Sequence, residues 1–142
     1  MIASGARTGL VTPRRYALVC DVGRAINPLI VEGQLVGGII HGLGGTLLEE
    51  LGYDERGQLL TTTFMDYLIP SAGDCPRVDI TILEDASPSN PLGVKGVGEA
   101  GTSGAGAALA NAVANALGPK AAVMRLPLSP ERVLQILGAA SS

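Results

Sequence analysis

The chain has 142 residues, 46% hydrophobic and 16% charged, which is enough apolar material for one folded domain and too much for a disordered segment. A net charge of −3 with no basic run beyond Arg14 and Arg15 argues against nucleic-acid binding, which needs clustered Lys and Arg to neutralise phosphates. Aromatic residues make up only 3% and Gly numbers 20, so the core must pack by close backbone approach, as suits part of a larger body.

The first fifteen residues lack the apolar stretch of a secretory signal. The most apolar segment, residues 29–51, is interrupted by Glu32, Gln34, His41, Glu49 and Glu50, so no membrane span is expected. A cytoplasmic chain is the expectation. Cys20 and Cys75 form no CxxC pair and have no ligand spacing with the single histidine, His41. They read as two reduced, mostly buried thiols, with no iron–sulfur or zinc site within the chain.

In chain order, residues 16–22 are a β-rich run closed by Gly23 and predict a buried strand. Asn27 followed by Pro28 is a helix start, because Asn caps free N–H groups and Pro needs no N–H partner in the first turn. The helix is expected to run from residue 28 to about residue 51, with Gly52 as its stop. It carries Gly33, Gly37, Gly38, Gly42, Gly44 and Gly45, each costing about 1 kcal/mol relative to Ala. Such a sequence fits where something approaches the backbone closely. Gln34, Gly37, Gly38 and His41 share one helical face, which serves either a tight helix contact or a ligand.

Residues 54–57 are a turn, and residues 59–69 are strand or irregular up to Pro70. Residues 77–84 alternate, with Val78, Ile80 and Ile82 opposite Asp79 and Thr81, and predict a half-buried strand. A loop with two prolines spans residues 86–91. A helix is expected over residues 105–117, with an apolar face of Leu109, Ala112, Val113, Ala116 and Leu117, stopped by Gly118 and Pro119. Ser129 caps a last helix from Pro130 to about residue 137, and Ser141 and Ser142 are expected to fray.

Between the loop and the second helix, Gly96-Val97-Gly98-Glu99-Ala100-Gly101 matches G-x-G-x-x-G. A dinucleotide-binding turn would need a strand immediately before it and an acidic residue about twenty positions on. A proline-rich loop precedes it here, and Pro119 and Lys120 stand at that distance. Two readings of Glu99 stay open on chemistry alone. Glycines at 96, 98 and 101, free in backbone conformation, could hold its carboxylate at a fixed point in a cavity as a general base. Equally, Glu99 could be a surface residue favoured by a helix N-terminus.

Taken together, residues 21–28 (DVGRAINP), 31–38 (VEGQLVGG), 41–44 (HGLG) with 48–50 (LEE), and 93–102 (GVKGVGEAGT) resemble the molybdopterin-binding large subunit of the xanthine dehydrogenase and aldehyde oxidase family. Their order and spacing match, as does the Ala/Asn-rich helix and the Leu-Pro-Leu-Ser-Pro-Glu-Arg tail, so the resemblance covers the chain from about residue 16 onward. It implies an α+β fold: strands with at least three packed helices, one partial molybdenum-cofactor-binding domain over residues 1–142, incomplete without upstream polypeptide.

The resemblance also implies an activity. Family members hydroxylate an aldehyde or N-heterocycle with oxygen taken from water, at molybdenum bound by molybdopterin (plain or in its cytosine dinucleotide form). The motif glutamate, here Glu99, takes the proton from the metal-bound hydroxyl while hydride passes to a sulfido ligand. Gln34 matches a residue that hydrogen-bonds the cofactor near the metal. Gly37, Gly38, Lys95, Gly96, Val97 and Gly98 are implied to line the same pocket, and no residue of the chain is implied to ligate the metal directly. Where many relatives have Gln, this chain has His41, which is taken only as close to the pocket. Iron–sulfur (2Fe-2S) and FAD subunits or domains are the implied partners. Because family large subunits are several times longer, the chain is expected to be inactive alone, as a truncated product or a split subunit. The alternative is a non-catalytic remnant or interaction subunit of the same fold.

Overall fold

The computed structural model describes residues 2–4 and 7–140. Strands β1 (Ile2–Ser4) and β2 (Val11–Pro13) pair antiparallel as a two-stranded ribbon that nothing in the sequence pattern announced. Strands β3 (Arg15–Asp21) and β4 (Arg77–Leu83) pair in parallel, from Arg15 opposite Arg77 to Asp21 opposite Leu83. Parallel neighbours need a crossover, and helix α1 (Pro28–Leu47) lies within it. A four-residue helix α2 (Ala100–Ser103) leads into α3 (Ala105–Leu117), and α4 (Pro130–Ala140) closes the fold. The architecture is α+β, as expected.

Local chemistry explains most boundaries. The Asn27 side chain accepts from the Ile30 N–H at 3.2 Å, and Pro28 occupies the first turn. α1 ends one turn earlier than expected, with Leu48 and not Gly52 at its boundary. The Gly44 carbonyl accepts from both Leu48 and Glu49 N–H at 2.8 Å, so the chain turns off the helix axis there. Gly52 instead donates to the Thr61 hydroxyl at 2.9 Å. Residues 59–69 are irregular, with one bridge between Tyr53 and Leu59. α4 runs through Gly138, three residues past expectation, and Ser141 and Ser142, expected to fray, lie outside the described residues. Cys20 is half-buried and Cys75 is exposed, so the second thiol is not the buried group expected. Cys75 follows a single 3-10 turn at Ala72–Asp74, where no hydrophobic layer covers it.

The core joins the last turns of α1 to α3 and α4 through Leu43, Leu47, Leu109, Val113, Leu128 and Val133. Ala116, placed on the apolar face of α3 by spacing, falls on its exposed side. Many large apolar groups stay outside the core, among them Phe64, 86% exposed, and Met65, 89% exposed.

Glycine settles how α1 meets α2 and α3. A Cβ at Gly38 would lie 2.9 Å from the Gly101 Cα and 3.0 Å from the Thr102 nitrogen, and one at Gly42 would meet the Ala105 methyl. A Cβ at Gly101 would meet the Leu35 carbonyl oxygen and lie 2.9 Å from the Ile39 nitrogen. Around Gly33, Gly37 and Gly45 there is open space. The polar face therefore divides: Gly38 serves helix packing, while Gln34, Gly37 and His41 look outward. Gly101→Ala should destabilise the chain by about 1–3 kcal/mol through overpacking, whereas Gly37→Ala should stabilise it by about 0.5–1 kcal/mol through helix propensity. Denaturant midpoints of the two variants check this, and equal midpoints would contradict the packing account.

Candidate functional site

The segment carrying Glu99 is anchored at both of its ends. Its first anchor is at the carboxyl ends of β3 and β4. The Gly93 carbonyl accepts from Arg24 N–H at 2.9 Å and Ser87 N–H at 3.1 Å, and Lys95 N–H donates to the Val22 carbonyl at 3.0 Å. Asn90 reaches across the loop, donating to the Val94 carbonyl at 2.9 Å and accepting from its N–H at 3.2 Å. Gly93 and Gly23 both have positive φ, at 66° and 63°, so these two positions need glycine conformationally.

Among the glycines around Glu99, the expected conformational reason does not hold: none of Gly96, Gly98 and Gly101 has positive φ. Gly101 is required instead by its contact with α1, which is the second anchor. There the Thr102 hydroxyl donates to the Gly38 carbonyl at 3.0 Å. Between the anchors, Gly96 and Gly98 are exposed, and a Cβ at either would meet nothing.

Glu99 sits at the start of α2, its side chain exposed and making no capping hydrogen bond. Its carbonyl accepts from Thr102 and Ser103 N–H, both at 3.1 Å. Near the start of α1, Val94, Lys95 and Val97 line an open cavity of about 260 Å³ together with Val22, Ile30 and Val31. Val97 lines that cavity with Ile30 and Val31, and Gly101 lies against Leu35 and Gly38, so the stretch bearing Glu99 runs along α1. That stretch of α1 carries Gln34, whose side chain is exposed. The segment over residues 95–101 and the face with Gln34 and Gly37 thus lie next to one another. His41 lies on the exposed surface of α1 one turn beyond Gly37.

Lys95 is occupied. Its ammonium pairs with Asp21 at the end of β3 and stands 3.6 Å from Asp85, just past β4. The other Asp21 oxygen accepts from Gly23 N–H at 3.0 Å and Asp85 N–H at 3.1 Å. These partners, the Lys95 hydrogen bond first, hold the Asp21 carboxyl at about 2, and Asp21 in turn raises the Lys95 ammonium. Sequence reasoning missed Asp21 as a partner because 74 positions separate it from Lys95 in the chain, and Asp85 because no motif links it to the lysine.

The motif does not follow a strand directly, since residues 84–95 separate it from β4, so a dinucleotide turn has no scaffold here. Among the described residues no group of three or more His, Cys, Asp or Glu is arranged to hold a metal. No helix among them is long and apolar enough to cross a membrane.

A carboxyl ordinarily near 3.8 that titrates at about 2 contributes stability above its ordinary value and loses it as pH falls toward 2. Asp21→Asn should therefore flatten the acid side of the stability profile, leaving the slopes from Asp74 and Asp79, also held low by their partners. Denaturant midpoints taken down the pH scale check it, and a profile as steep as the parent's would contradict it.

A family model described as a molybdopterin cofactor-binding domain matches residues 4–76. The chain is 48% identical over 120 residues to the gamma subunit of the 6-hydroxypseudooxynicotine dehydrogenase complex of Paenarthrobacter nicotinovorans, covering 84% of this chain and 15% of that one. It is 39% identical to the aldehyde oxidoreductase molybdenum-binding subunit of Escherichia coli K12, covering 92% and 18%. In structure it matches quinoline 2-oxidoreductase from Pseudomonas putida 86 with a TM-score of 0.92 and 44% identity, over 96% of this chain and 18% of that one. The chain thus spans less than a fifth of the length of these relatives. On the family match, with this fold and this glycine-framed glutamate, the chain belongs to the molybdenum-binding large subunits of the xanthine, aldehyde and carbon monoxide dehydrogenase family.

Proposed function

We propose that this chain forms one wall of a molybdenum hydroxylase active site and that Glu99 is its catalytic base. The observation that carries this is the exposed Glu99 carboxylate, held between two backbone anchors beside the face of α1 that bears Gln34. The residues fit a pterin-bound metal. Open space around Gly37, Gly96 and Gly98 lets a ligand approach two stretches of backbone, and the Gln34 amide can both donate and accept beside them. Gly38, Lys95 and Val97 complete this wall through backbone placement, with the Gly38 carbonyl and the Lys95 side chain already engaged within the chain.

When bound, the molybdenum cofactor (with the pterin in plain or cytosine dinucleotide form) supplies Lewis acidity toward water and accepts the two electrons of the oxidation. A Glu99 carboxylate oxygen takes the proton from the water-derived nucleophile as that nucleophile attacks the substrate carbon. The Gln34 amide orients the cofactor by hydrogen bonding. Glycines in place of side chains keep the space before Glu99 clear for a flat substrate. An aldehyde or N-heterocycle suits such a site, and relatives named for aldehyde, nicotine and quinoline oxidation support that class.

The remainder of a large subunit would cover the exposed apolar groups and complete the cofactor cradle, with iron–sulfur and FAD partners carrying electrons away. The 142 residues alone are then inactive. In the alternative, a non-catalytic piece of the same fold, Glu99 has no task.

Glu99→Gln in the assembled enzyme should retain its molybdenum and lose turnover by about a thousandfold, within the range general-base catalysis supplies. Steady-state rates with an aldehyde and an N-heterocycle, alongside metal analysis, test this. Turnover close to the parent's would remove Glu99 from the role.

A further inference from the structure

The wall described above depends on where Glu99 points, and four residues before it stands a lysine whose ammonium is engaged by Asp21. We propose that Lys95 is a positioning residue: its ammonium clamps the Glu99 segment to the ends of β3 and β4 through Asp21 and Asp85. The inference rests on the reading of Glu99 as base.

Three features support a clamp over a ligand-binding lysine. The ammonium is already engaged by Asp21 and lies 3.6 Å from Asp85, and two carboxylates around one lysine leave the cluster with net negative charge. Such a cluster repels a phosphate or pyrophosphate. Asp21 also accepts from the Gly23 and Asp85 N–H groups, so it joins both strand ends to Lys95 in a single hub. Beyond Lys95, Gly96 and Gly98 are exposed, with open space where a Cβ would stand. Val97 follows in the lining of the cavity at the start of α1, its carbonyl accepting from Ala100 N–H at 3.1 Å, and Gly101 then packs against Leu35 and Ile39. Glu99 therefore lies between the Lys95 hub and the Gly101 contact, and removing the ammonium weakens the hold on the first side, beside the backbone bonds that remain there, while Gly101 keeps α2 in place. Both Lys95 and Asp21 are about one-third exposed, at 32% each, so solvent screens the pair and its worth to overall stability is small. Local placement is what such a pair can supply.

The test uses Lys95→Met and Lys95→Arg in the assembled enzyme. Lys95→Met removes the charge and leaves the backbone bonds of Asp21 in place. Amide hydrogen exchange should rise about tenfold or more at residues 96–100 and stay at parent values in β3 and β4. The turnover number should fall by about a hundredfold, as expected for a misplaced catalytic group, with KM and molybdenum content close to parent. Lys95→Arg should restore both readouts. Unchanged exchange at residues 96–100 would overturn the clamp, and so would a rise shared equally by β3 and β4, the mark of a merely stabilising pair. Local loosening with parent turnover would also overturn the positioning role if Glu99→Gln is inactive. If Glu99→Gln is active, the base assignment is what has failed, and the exchange data alone decide the clamp.

Discussion

The contact between Gly38 and Gly101 is the constraint on which the rest of the arrangement depends. With hydrogen as the side chain on both residues, α1 and α2 approach until their backbones touch, and the Thr102 hydroxyl can reach the Gly38 carbonyl. A methyl on either residue would push the two apart by an appreciable fraction of an ångström. The displacement would pass directly to Glu99, two residues before Gly101. Because α1 is also the crossover between β3 and β4, the same contact ties the glutamate segment to the parallel pair. A composition with many glycines and few aromatics follows from that geometry.

Electrostatics finishes what close packing begins. At the ends of β3 and β4 a lysine, two aspartates and several backbone N–H groups form one satisfied cluster, and on either side the chain is free to face outward. The site thus combines a rigid frame with an open edge. Such an edge is of little use to a small domain by itself and of clear use to one wall of a larger cavity. The exposed Phe64 and Met65 fit the same need for further polypeptide.

Local signals made much of this legible. Asn27-Pro28, Gly118-Pro119 and Ser129-Pro130 each mark a helix boundary by capping chemistry, and alternation in residues 77–84 gave β4. The end of α1 was misplaced because Gly44 collects two N–H donors, a choice set by tertiary turning and not by the Gly52 that looks like a stop. β1 and β2 are three residues each, too short for a period to register. At the site, Glu99 and Gln34 stood out by motif, but the reason for Gly101 did not, because it is a neighbour across space and not a torsion angle. Asp21 was silent for the same reason, since a lysine's partner 74 positions away leaves no mark on its local sequence, and no motif links Asp85 to the lysine.

One measurement bears most directly on the central claim, that α1 and the Glu99 segment build a single wall of a molybdenum site. It is an experimental structure of the assembled, cofactor-loaded enzyme that contains this chain. The account predicts the Glu99 carboxylate and the Gln34 amide on the same side, facing the metal, with the backbone of Gly37, Gly96 and Gly98 in contact with cofactor or substrate. A cofactor seated elsewhere, with Glu99 in open solvent or buried against another polypeptide, would contradict it.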